Sequence, residues 1–189
     1  MGSRGTISSI GKLARLFRRS ERGVTAVEFA IVGPVFFAII GATIETALTF
    51  FAGYALDSAV IDSSRYIRTN QTAYFDSAST YRSAVCSKLY GIFDCDQLRI
   101  QVQKLDDDFA DFDDNFSGMP IDETNGDWQI GVDEDLPAVL GSQNYMVEAY
   151  YKWPTIFNIP GLNAGQTADG KRLLVATHVF RTEPFGDAP

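Results

Sequence analysis

From Phe29 to Ile44 the chain reads FAIVGPVFFAIIGATI without one charged side chain, and Glu28 stands immediately before that run. Few sequence features restrict a fold more. About 20 apolar residues are needed for a helix to cross a hydrocarbon core, and Val24–Leu48 is long enough to do so with some tilt. A helix apolar on every side has no polar face to give to water, so it belongs in lipid rather than at a protein surface. Within such a segment Glu28 is costly, roughly 2.5–3.5 kcal/mol on insertion scales, and a charge kept at that cost usually has a partner. Pro34 should kink the helix locally, which neighbouring helices tolerate, while Gly33, Gly41 and Ala42 offer small surfaces for close helix approach.

Charge is divided sharply around this segment. Arg4, Lys12, Arg15, Arg18, Arg19 and Arg22 face only Glu21 within residues 1–23, giving +5 and leaving −13 for the remainder of a chain whose net charge is −8. A basic leader ahead of an apolar span places the N-terminus in the cytoplasm and the acidic body outside. That body has no basic patch for phosphates, so nucleic-acid binding is not expected. Cys86 and Cys95, the two cysteines, then lie on an oxidising side and read as a disulfide, with two free buried thiols as the alternative.

Three other readings of the apolar run differ in what they require. A cleaved secretory signal has a shorter apolar core of about 7–15 residues ending at a small-x-small site. A soluble core helix would not be apolar all round. A plain uncleaved anchor needs only that Glu28 snorkel to the interface. Glu45 reads as an interfacial residue near the outer headgroups, with a charge lock like that of Glu28 as the alternative.

The stretch Gly23-Val24-Thr25-Ala26-Val27-Glu28-Phe29, followed by Pro34, resembles the TadE/TadG-like pseudopilins of the Tad (tight adherence, Flp) type IVb pilus system. The resemblance implies cleavage by a prepilin peptidase between Gly23 and Val24, with Glu28 and Phe29 as the fifth and sixth residues of the mature chain. The segment Ala55–Tyr66, the pair Cys86 and Cys95, and the ending Val179–Phe185 are similar to further features of the family. It also implies partners: the prepilin peptidase, other Tad pseudopilins, an inner-membrane assembly platform and membrane lipid. The acidic insert at 106–127 has no counterpart there. A new amine on Val24, one helical turn from Glu28, would let the glutamate of one subunit neutralise the terminus of its neighbour. In lipid such a pair serves register more than stability.

Past the span, helical periodicity continues to about Tyr66 or Thr69, before Asn70-Gln71-Thr72 breaks it. Residues 77–91 predict a second helix with Ala78, Tyr81, Val85 and Leu89 on one stripe and Gly91 as a stop. Alternation predicts strands over Leu98–Leu105, Tyr145–Lys152 and Arg172–Phe180. The expected fold class is therefore α+β: a long transmembrane and stalk helix, then a small periplasmic domain with a second helix and an antiparallel sheet. The expected boundaries are 1–23 for the leader, 24–70 for the span and stalk, and 71–189 for the periplasmic domain.

Two connections stand out. Asp111, Asp113, Asn115, Ser117 and Asp122 follow the ligand order of a calcium loop, but Phe116 occupies the place of the turn glycine and the last ligand is a short Asp. A solvated acidic loop is the alternative. The other, 153–162 (WPTIFNIPGL), is apolar for a loop and fits a core cover, a membrane-facing segment or a partner-facing one alike. No GxSxG, HExxH or phosphate-cradling glycine loop occurs, and His178 sits mid-strand, where a structural role is expected. The sequence thus predicts a non-enzymatic minor pseudopilin without cofactor, acting in pilus assembly or adhesion. The alternative is an uncleaved bitopic inner-membrane protein whose outer domain binds a partner or ligand.

Overall fold

The computed structural model describes residues 23–71, 77–105, 120–129, 137, 139–156, 165 and 167–185. The expected ligands Asp111, Asp113 and Asn115 and the loop residues 157–162 lie outside them. The chain divides into two compact units, Met1–Ile44 and Glu45–Pro189.

Helix α1 runs Val24–Arg68 without interruption, with Pro34 inside it. Its character changes along its length. From Glu45 onward the buried positions are 45, 49, 52, 55, 56, 59, 60, 63, 64 and 67, the three-and-four spacing of a helix buried on one face. Several are small (Ala52, Ala55, Ala59, Ser63), and the three alanines share one core cluster with Ala149 and Ala176 of the sheet. The helix ends in a Schellman motif. Asn70 takes the left-handed conformation at φ 49°, Gln71 N–H donates to the Tyr66 carbonyl at 3.0 Å, and Asn70 N–H donates to that of Ile67 at 3.2 Å. Asn is one of the few residues that adopts this geometry readily. The break in periodicity at Asn70 therefore has a backbone cause.

Helix α2, Ala78–Cys86, is capped by Ser77, whose hydroxyl accepts the Thr80 N–H at 3.3 Å. Tyr81, Val85 and Leu89 are fully buried, as the predicted stripe requires. The helix ends five residues earlier than the periodicity predicts. After Cys86 the chain tightens into three-residue turns, with Lys88 N–H bonded to the Val85 carbonyl and Leu89 N–H to that of Cys86, both at 3.0 Å. Tyr90 and Gly91 then adopt positive φ and reverse the chain. Burial of Leu89 continues the stripe although the α-helical bonding has ended.

A 3-10 turn, Cys95–Gln97, is capped by Asp94 and leads into β1, Arg99–Leu105. Strands β2, Asn144–Trp153, and β3, Arg172–Arg181, complete an antiparallel sheet of order β1-β2-β3. The register pairs Val102 with Val147 and Ala149 with Ala176. One face carries Ile100, Val102, Tyr145, Val147, Ala149, Tyr151, Leu174, Ala176 and Phe180 into the core shared with α1 and α2. Central strand β2 is buried on both faces, because Trp128 and its neighbours cover part of the other side. The α+β class and the antiparallel sheet expected from alternation are both present.

The Cys86–Cys95 disulfide, with Cα atoms 5.9 Å apart, joins the end of α2 to the turn that starts β1. Closing so short a loop in the unfolded chain should stabilise the fold by about 2–3 kcal/mol. Replacing both cysteines by serine is expected to lower the unfolding free energy of the detergent-solubilised protein by that amount. Urea titration followed by tryptophan fluorescence measures it, and reduction of the wild type should give the same loss.

Candidate functional site: the apolar helix and its exit

Helix α1 starts at Val24, immediately after Gly23. Val24 and Glu28 are four residues apart, so their side chains lie one turn apart on the same face. Both are exposed, as are Val27, Phe29, Ile31, Val32, Val35, Phe36, Phe37 and Ile39. Beyond Glu28 the helix thus presents a largely apolar exposed surface up to Ile44. The ring of Phe29 lies over Gly33, where a Cβ would come within 3.5 Å of it, so Gly33 is buried by its own helix. Gly41 is also buried. The Thr43 hydroxyl donates to the Ile39 carbonyl at 2.8 Å, satisfying a polar group that lipid could not. By length and composition the helix can cross a membrane.

The second carboxylate is placed differently. Glu45 is only 6% exposed, and its Oε1 accepts the backbone N–H of Ile156 at 3.1 Å. The Thr49 hydroxyl donates to the Glu45 carbonyl at 2.9 Å. Glu45 therefore faces its own compact unit, holding the chain just beyond the end of β2. Burial of a charged acceptor is tolerable when a donor meets it. Periodicity alone had no means of revealing a partner 111 residues away.

On the outward face of the sheet Trp128 lies between two cations, with the Arg99 guanidinium 5.3 Å and the Lys152 ammonium 4.6 Å from its ring centroid. Lys152 also donates to the Gly126 carbonyl and lies 3.7 Å from Asp169, which is 3.4 Å from Lys171. Partial burial pushes the Asp169 carboxyl up, but the Thr167 hydroxyl and the two ammonium groups outweigh it and hold the group below the usual range. Gly126, at φ 77°, brings its backbone against Asp169; a Cβ there would lie 3.0 Å from the Asp169 nitrogen. Sequence reasoning missed this cluster, whose members come from four separate stretches. Asp122 accepts the Thr124 N–H at 2.7 Å, and these local bonds lower its carboxyl pKa. No group of three His, Cys, Asp or Glu residues among the described ones is arranged to hold a metal ion.

Near the far end of α1, a cleft of about 260 Å³ is lined by Ile61, Asp62, Ser64, Arg65, Arg68, His178 and Phe180. His178 stacks on Phe180 at 5.5 Å between centroids. Burial pushes its imidazole below the ordinary value; Asp57 opposes that shift and Arg68 adds to it. Asp62 and Ser64 share the cleft lining, and the Ser64 hydroxyl is engaged by its own helix, donating to the Val60 carbonyl at 2.7 Å. A histidine with a depressed folded pKa contributes stability that is present above its unfolded value of about 6.5 and is lost as pH falls from there through its lower folded value. Thermal melts between neutral and mildly acidic pH should show this loss in the wild type. His178→Phe, which keeps the ring contact but does not titrate, should flatten the slope.

No curated protein and no solved structure gives a significant match to the chain. Residues 23–72, from the glycine before α1 to just past its Schellman cap, match the family model described as TadE-like protein, and the chain carries a TadE-like segment.

Proposed function

We propose that the protein is a non-enzymatic minor pseudopilin of a Tad-type pilus assembly apparatus. The observation that carries this reading is a coincidence at one residue. Gly23 ends the basic leader, opens the TadE-like match and directly precedes the first residue of α1, with Glu28 one turn further on. Membership of that segment in the TadE-like family supports involvement in Tad pilus assembly. The finer steps are our own reading. A prepilin peptidase cuts between Gly23 and Val24 on the cytoplasmic face, where the basic leader holds the N-terminus. The new Val24 amine and Glu28 of adjacent subunits then pair within apolar surroundings, so that only one axial stagger leaves no charge unmatched.

The outer unit remains periplasmic on this reading, consistent with its acidity and its disulfide. Its partners are the peptidase, other pseudopilins of the system and the inner-membrane assembly platform. Its role is to initiate, prime or regulate assembly, or to contribute to adhesion, rather than to form the bulk of a fibre.

Intact-mass and N-terminal analysis of membrane-extracted protein, from cells with and without the prepilin peptidase, tests the proposal. A species beginning at Val24 is expected only when the peptidase is present, and Gly23→Ala should abolish it. An intact leader in both backgrounds would overturn the pseudopilin reading and leave an uncleaved bitopic anchor with a periplasmic binding domain.

A further inference from the structure

We propose that the groove between α1 and β3 takes an extended acidic segment of a partner protein, which adds to the open edge of β3 as a fourth strand and offers carboxylates to Arg65 and Arg68. The inference goes beyond the assembly reading and holds whether or not the leader is cut.

The edge of the sheet supplies the first observation. In the order β1-β2-β3, β3 pairs with β2 alone among the described residues. A bare edge of alternating backbone donors and acceptors is a template for another strand, and proteins blunt such edges by shortening them or by placing proline or charge within them. Strand β3 has none of these devices. It is ten residues long, and Leu173–Phe180 contains no proline, lysine, arginine, aspartate or glutamate. Its outward side chains Val175 and Val179 are 51% and 42% exposed, although their register partners Tyr150 and Met146 are buried. Burial on this face therefore stops one strand short of the edge.

The groove decides which strand fits. His178 and Phe180 lie on the core side of β3, opposite Val147 and Tyr145. Those two partners are fully buried, whereas His178 is only half-buried, because the cleft of about 260 Å³ opens beside it. On the helix side Ile61, Arg65 and Arg68 are exposed and follow the four-and-three spacing of one helix face. The lining is thus apolar at Ile61 and Phe180 and cationic at Arg65 and Arg68. Its carboxylate, Asp62, is 3.7 Å from Lys88, and Asp57 acts on His178 from outside the lining.

Neither Arg65 nor Arg68 has an ion pair among the described residues. The carbonyls at the helix end do not need them either. Those of Arg65, Tyr66, Ile67 and Arg68 accept the backbone N–H groups of Thr69, Gln71, Asn70 and Glu183, all at 3.0–3.2 Å. Two unpaired guanidinium groups on an otherwise acidic chain select carboxylates. A second copy of β3 is a poor occupant, because antiparallel self-pairing in full register sets Arg172 opposite Arg181 at both ends. A strand alternating acidic and apolar residues meets both sides of the edge, its acids toward α1 and its apolar residues beside Val175 and Val179.

The probe is a fluorescent octapeptide alternating valine and glutamate, titrated against the detergent-solubilised full chain and followed by anisotropy. A valine–lysine octapeptide is the charge control. Two further glutamate peptides carry N-methyl groups on one or the other alternate set of residues. Saturable binding of the glutamate peptide is expected, with one N-methylation pattern abolishing it and the other leaving it intact. Arg65→Ala with Arg68→Ala, both at exposed positions, should weaken binding by about tenfold or more without lowering the melting temperature.

Absence of saturable binding, or equal binding of the lysine peptide, would overturn the acidic occupant. Equal effects of the two N-methylation patterns would overturn strand addition. Unchanged affinity in the double arginine variant would remove the groove as the site. Self-association of the full chain that this variant abolishes, without peptide binding, would give the surface to a second copy instead.

Discussion

A single continuous helix changes its side-chain character along its length, and that change organises the described residues around it. From Phe29 to Ile44 it carries no charged side chain, a composition that hydrocarbon accepts. From Glu45 the same backbone carries one buried stripe against a sheet and one exposed face. The helical hydrogen bonds are indifferent to this change; only the side chains register it. The division into compact units falls at the same residue, between Ile44 and Glu45.

The unit from Glu45 onward is a thin assembly: one sheet face on two helices, with a short disulfide loop. A domain of this size has a modest core, so local devices carry a large share of the specification. The Schellman cap at Asn70 ends α1, the Ser77 cap starts α2, and the disulfide joins α2 to β1. The tail after β3 returns to the helix end, where Glu183 N–H meets the Arg68 carbonyl. Helix end and sheet end are thereby held at one level. The Glu45–Ile156 bond does the same at the opposite end, and the sheet is fastened to its helix at both extremities.

Polar groups on the outward sheet face follow a related logic. Lys152 and Arg99 are both nearly buried, and each finds the face of Trp128. Lys152 adds Asp169 and a backbone carbonyl. A desolvated ammonium needs this much company, since removing one partner from a buried pair costs far more than the pair contributes. The cluster covers a sheet face that would otherwise lie open to water.

Much of the architecture was legible in sequence because it depends on local periodicity. The helical stretch beyond the apolar run, the three strands and the stripe of α2 each repeat at 3.6 or 2 residues, and the structure has these elements within a few residues of the expected bounds, α2 excepted. Helix α2 ended early because turn bonds beyond Cys86 continued its buried stripe without α-helical hydrogen bonding. The cysteine pairing followed from compartment and proximity along the chain. What only tertiary structure decided was the partner of each isolated polar residue. Glu45 looked like a second intramembrane charge or a headgroup residue, and its acceptor role became visible only when Ile156 arrived beside it. Trp128, Lys152 and Asp169 carry no pattern in sequence and meet only in space. Periodicity encodes which face of an element is buried; it holds no record of which distant donor will reach that face, because that depends on how the intervening chain closes.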